Sequence, residues 1–133
     1  VLVTEDEAAL SFPLTSACIA WDGGEQSALA MRSAAPLLKD CGAVHVLTVE
    51  GGDAFPATDA LRYLSRHGVK AELHEVARVA TIEESLAMAC ARLNGQLLVM
   101  GAYGHSRMRE FLFGGVTRYF VENCERPALF LAH

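Results

Sequence analysis

Five short runs of apolar residues constrain the fold more than any other feature of this chain. They cover residues 17–21, 44–49, 69–76, 96–100 and 128–131. Between them lie longer stretches with apolar residues at helical spacing: 25–39, 57–67, 81–93 and 116–123. Strands that are apolar on both faces must be covered on both faces. The alternation of strand and helix therefore predicts an α/β domain: a five-stranded parallel sheet with helices on both faces. Right-handed crossovers follow as the default. One strand departs from the pattern. Val69, Ala71 and Leu73 alternate with Lys70, Glu72 and His74, which predicts a wetter face near a sheet edge. Punctuation agrees with these boundaries. Asp22-Gly23-Gly24, Asp40-Cys41-Gly42, His67-Gly68 and Asn94-Gly95 are stops. Thr81-Ile82-Glu83-Glu84 reads as a capping box, and Pro36 falls in the last turn of its helix.

The chain has 133 residues, 52% hydrophobic and 20% charged, enough for one domain with a real core. No apolar run reaches the roughly 20 residues of a membrane span. A formal net charge of -5 argues against a nucleic-acid binder, which is usually basic. Cys18, Cys41, Cys90 and Cys124 are far apart and never form a C-x-x-C pair. Zinc-knuckle and iron–sulfur motifs are therefore missing, and each cysteine reads as a small hydrophobe in a reducing compartment. No signal peptide is recognisable, since Glu5, Asp6 and Glu7 occupy the place of a basic flank. Val1-Leu2-Val3 reads as a short strand and residues 4–15 as a polar linker.

The stretch from Gly101 to Thr117 is where chemistry is expected. Gly101 and Gly104 follow a strand directly, and Gly114-Gly115 opens the next helix at Val116 and Thr117. Glycines allow tight turns, and clustered N–H groups at a helix start hold phosphate. Arg107, Arg109 and Arg118 add positive charge to an acidic chain. In a parallel sheet, ligands sit at the carboxyl ends of strands where strand order reverses, so the Asp22-Gly23-Gly24 turn belongs to the same edge. A dinucleotide fingerprint and a P-loop are both missing. Asp22 reads either as a contact to adenine or ribose or as a turn and cap residue. Trp21 packs over a base or into the core. His105 touches phosphate or stabilises its loop, whereas His45, inside an apolar strand, reads as a satisfied core histidine. The five histidines show no metal-ligand spacing, and Ser106 lacks a nucleophile-elbow context. No catalytic residue and no metal ligand is assigned.

The stretch Leu98 to Leu131 resembles the carboxyl-terminal signature of the universal stress protein family. Gly101 and Gly104, a nine-residue gap over 105–113, and Gly114 match its glycines. Gly-Gly-Val-Thr-Arg at 114–118, Arg126-Pro127, and the first strand leading to Asp22-Gly23 also fit. The resemblance covers about residues 17–133. It implies a Rossmann-like sheet of the adenine nucleotide alpha hydrolase type, with strand order 3-2-1-4-5. It implies ATP or AMP as ligand, with or without Mg. Asp22 and the backbone near Val49 would meet the adenine. Gly101, Gly104, His105, Arg107, Gly114, Gly115, Val116 and Thr117 would lie against ribose and phosphates. Gly115 stands where nucleotide-binding members have Ser or Thr. One lost hydrogen bond to a charged group is worth about 1.5–3 kcal/mol, a tenfold to more than hundredfold loss of affinity.

The resemblance also implies a cytoplasmic stress-response regulator rather than an enzyme. Two other functions compete with it: a nucleotide-free interaction module, and a small nucleotide-hydrolysing enzyme. Family members dimerise by pairing their last strands, here Ala128, Leu129, Phe130 and Leu131. Many are tandem, so residues 1–16 are expected to be a linker or the remnant strand of a preceding domain. The partner expected is then a second copy or a tandem pseudo-dimer half, with no nucleic acid and no membrane.

Overall fold

A computed structural model describes residues 2–3, 10, 12–49, 56–101, 116–122 and 127–132. The elements in chain order are β1 (Leu2–Val3), β2 (Ser16–Ala20), α1 (Glu25–Leu38), β3 (Ala43–Val49), α2 (Ala57–Arg66), β4 (Ala71–Val76), α3 (Ile82–Arg92), β5 (Leu97–Gly101), α4 (Val116–Glu122) and β6 (Ala128–Ala132). They form one sheet in the order β1-β6-β5-β2-β3-β4. From β2 to β6 the pairings are all parallel. Numbered among themselves, those five strands have the expected order 3-2-1-4-5. β1 extends the sheet. It pairs antiparallel with β6, Leu2 opposite Phe130 and Val3 opposite Leu129. The expected edge at the last strand is therefore occupied by the chain's own first residues.

Two apolar layers hold the sheet. On one face Ala17, Ile19, Val44, Val46, Leu97 and Val99 pack with Ala30, Met31, Ala34 and Leu38 of α1 and Ala60 and Leu64 of α2. On the other, Cys18, Leu47, Leu98, Met100 and Leu129 pack with Leu86, Ala89 and Cys90 of α3 and Phe120 of α4. This is the period-2 alternation of strands filled from both sides. Trp21 is buried in the first layer and donates its backbone N–H to the Leu47 carbonyl at 2.9 Å, which decides for core packing. Burial continues along β2 and β5 and fades at β4, the outermost parallel strand, where Glu72 and Glu75 are exposed.

The helix ends follow their local chemistry. Thr81 accepts the Glu84 N–H at 3.2 Å and caps α3. Asn94 takes a φ of 54° just past that helix, and Gly68 a φ of 79° just past α2, the left-handed conformation that ends helices. Pro36 sits inside α1 without ending it. Its side is exposed, so the carbonyl deprived of an N–H partner faces water rather than the core. Among the described residues no buried side-chain nitrogen or oxygen lacks a partner.

Candidate functional site at the carboxyl ends of the strands

The chain leaves β2 through α1 and adds β3 and then β4 on one side. It next crosses back through α3 to place β5 on the other side of β2. Strand order therefore reverses between β2 and β5. All five parallel strands end at the same side of the sheet, so Asp22, Val49 and Gly101 are brought to one edge by topology. Ligands of open α/β sheets bind there, because diverging connections leave a space outside the carboxyl ends.

Asp22 is exposed just past the end of β2. Its Oδ1 accepts the Gly24 N–H at 2.7 Å and the Ser27 hydroxyl at 2.7 Å. The same hydroxyl lies 3.0 Å from the Gly24 carbonyl, and its one hydrogen favours the closer, charged acceptor. Gly23 turns the chain with a φ of 78°. The aspartate thus holds the first turn of α1 by a side-chain bond, as a turn residue does. Oδ2 takes no hydrogen bond from the described residues.

Gly101 is a glycine for a reason its sequence context did not reveal. A Cβ on it would come within 2.6 Å of the Gln26 carbonyl carbon and the Ser27 nitrogen. The backbone of α1 lies against the end of β5, with 3.0 Å about the lower limit of real Cβ contacts. Ser27 therefore joins the two: its hydroxyl bonds Asp22 and its backbone seats on Gly101. Val49 ends β3 partly buried against the second apolar layer. Gly104, His105, Arg107, Gly114 and Gly115 lie outside the described residues. Val116 and Thr117 begin α4, with only their backbone described. Arg118 is exposed on α4 and bonds Glu122 through Nε at 2.7 Å.

Two clusters escaped the reading of the sequence. The Cys18 and Cys90 thiols are buried together, and a Cβ on Gly95 would meet their Sγ atoms at 3.0 and 2.6 Å. The hydrogen bond to Cys90, and then burial, push the Cys18 thiol up, so it stays protonated. The second cluster is at the β3–β4 edge, where His45 Nδ1 lies 2.9 Å from His74 Nε2. Burial first, and then His74, lower the His45 pKa, against an opposing pull from Glu72. His45 is therefore satisfied, as expected, but by a second imidazole.

These features define a doubly wound α/β domain whose five parallel strands reverse their order between β2 and β5. Residues 57–131, more than half of the chain, match the universal stress protein family, and the chain belongs to that family. Solved structures share the fold. A universal stress protein from Archaeoglobus fulgidus superposes with a TM-score of 0.70 at 17% identity, covering 90% of this chain and 93% of that one. A universal stress protein in complex with cAMP gives 0.63 at 17% identity, with 90% and 97% covered. A second protein, from Archaeoglobus fulgidus DSM 4304, gives 0.65 at 20% identity. It covers 89% of this chain but 43% of its own longer one. Comparison with curated protein sequences found no match.

Proposed function

We propose that this chain is a stress-response domain that binds an adenine nucleotide, ATP or AMP, at the carboxyl edge of its sheet and acts as a regulator or sensor. The observation that carries the reading is the arrangement of Asp22. Its exposed carboxylate is fixed through Oδ1 by α1 at the reversal of strand order, with Oδ2 unbonded among the described residues. A fixed acceptor beside a strand end suits the exocyclic amine of adenine or a ribose hydroxyl. The structural likeness to a stress protein in complex with cAMP supports an adenine ligand. Val49 backs the base. Gly101, Gly104, His105, Arg107, Gly114, Gly115, Val116 and Thr117 line the ribose and phosphates, with Mg accompanying ATP. The domain works in the cytoplasm and turns nucleotide over slowly at most.

Calorimetry with ATP on the purified chain and on Asp22→Asn tests this. Asparagine keeps an oxygen for the α1 turn while losing the charge and one acceptor. A tenfold or greater loss of affinity with an unchanged unfolding midpoint supports the reading. Equal affinity for the two proteins removes Asp22 from the site.

A second reading rests on β1. The antiparallel pairing of Leu2–Val3 on β6 is the pairing expected of a preceding domain's last strand. We infer that residues 1–16 carry such a strand and its linker, with residues 17–133 forming the stress-protein domain. The likeness to a chain more than twice as long supports it. A second copy of β6 would compete for the same edge. Light scattering on the chain and on a variant lacking residues 1–9 tests this. A shift from monomer to dimer on truncation supports a shared edge, and an unchanged monomer counts against it.

A further inference from the structure

The β3–β4 edge brings together three side chains that are 27 and 29 residues apart in sequence at their widest. On β4, Glu72 and His74 are two positions apart and so share a face. In the parallel register His45 lies opposite Glu72, and Leu47 lies opposite His74. His74 is therefore the diagonal neighbour of His45 on that face, and their ring nitrogens approach to 2.9 Å. Glu72 Oε2 lies 3.8 Å from His74 Nε2. One ligand atom from each of the three falls within 4.8 Å of the others. His45 is 8% exposed, while the His74 and Glu72 side chains are 33% and 78% exposed. The cluster therefore has a buried anchor and an open mouth.

We propose that His45, His74 and Glu72 form a site for one divalent transition-metal ion, Zn²⁺ being the best match. Two imidazoles and a carboxylate are the donors that such ions of intermediate softness select. Tetrahedral coordination at Zn–N lengths of 2.0–2.1 Å separates two nitrogens by about 3.3 Å, so the pair opens by roughly 0.4 Å to admit the ion. The present 2.9 Å contact is a hydrogen bond in which one ring donates and the other accepts. Metal binding replaces that hydrogen bond: the donor ring's one proton moves, through water, to its other nitrogen, so both ligands are neutral imidazoles and no net proton is released. Three protein ligands leave a fourth position for water at the exposed mouth. The site is separate from the nucleotide edge. His45 precedes Val49 by four strand positions, about 13 Å along the sheet. Its consequence is to tie the outermost parallel strand β4 to β3.

The test is calorimetric titration of ZnCl₂ into metal-stripped chain, repeated with His74→Asn and Glu72→Gln. Both residues lie on the open side of the edge, so both variants are expected to fold. The expected result is one equivalent bound with micromolar or tighter affinity. His74→Asn weakens it at least a hundredfold and Glu72→Gln about tenfold. The unfolding midpoint of the parent rises with Zn²⁺, and that of His74→Asn does not. Cobalt substitution supplies a separate readout: visible bands of a nitrogen–oxygen tetrahedral site, without thiolate charge transfer. No binding, binding equal in all three proteins, or thiolate bands would overturn the proposal. The first outcome leaves a hydrogen-bonded histidine pair, the second moves the metal away from this edge, and the third transfers it to cysteine.

Discussion

The inner strands β2 and β5 and the outer strand β4 are short parallel strands of the same sheet, but they serve different ends. Ala17, Cys18 and Ile19 of β2 and Leu97, Leu98 and Val99 of β5 are fully buried, at 0% exposure. Helices cover them from both sides, and the one polar side chain within them, Ser16 at the start of β2, is buried with its hydroxyl bonded to the Leu93 carbonyl. Their chemistry is confined to the ends, at Asp22 and Gly101. Among the described strands β4 has a neighbour on one side only. Its face alternates, and Glu72 and His74 reach water while His74 still touches the buried His45. Within one sheet, position in the order decides whether a strand is mainly a support or can carry a site along its length.

Truncation gives the sharpest contrast. Ile19→Ala should cost about 2–5 kcal/mol, because transfer energy is lost and a cavity opens in a layer that cannot collapse. Leu73→Ala, on the half-buried face of β4, should cost about 1 kcal/mol. Urea unfolding of both variants measures the difference. Equal losses would break the comparison. Gly101→Ala comes next, at about 1–3 kcal/mol, since the added methyl drives α1 from the end of β5. It should also disturb Asp22 through Ser27, so nucleotide affinity should fall with stability. A destabilised variant with unchanged ATP affinity would show that the two residues are not coupled. Thr81→Ala removes the α3 cap and should cost about 1 kcal/mol, lowering the unfolding midpoint without touching either site. Iodoacetamide at neutral pH should produce the smallest change. Native Cys18, buried and held protonated by Cys90, should stay unmodified by mass spectrometry until denaturant is added. Fast modification of the native chain would mean that this layer opens.

Local patterns made the fold legible. The five parallel strands and four helices fall within two residues of where apolar runs, Asn94-Gly95, His67-Gly68 and the Thr81 cap place them. The alternation in residues 69–76 also marked β4 as an edge. What escaped depends on non-local geometry. The pairing of Leu2–Val3 with β6 joins residues about as far apart as the chain allows; no local pattern encodes it, and the family resemblance alone led to it. The His45–His74 contact needs the β3–β4 register; the Glu72-x-His74 spacing was its one sequence signal. The candidate nucleotide site was legible as glycines and an aspartate at strand ends. The duty of Gly101 as a seat for α1 was not, because it depends on how closely a helix crosses a strand.

The most direct test of the nucleotide reading is mass spectrometry of small molecules released by denaturing the freshly purified chain, paired with ATP calorimetry on the emptied protein. The account predicts ATP or AMP at close to one per chain, and rebinding that is weakened by Gly104→Val. A chain that releases no nucleotide and gives no heat up to millimolar ATP would contradict it, and would favour a nucleotide-free interaction module acting through its β6 edge.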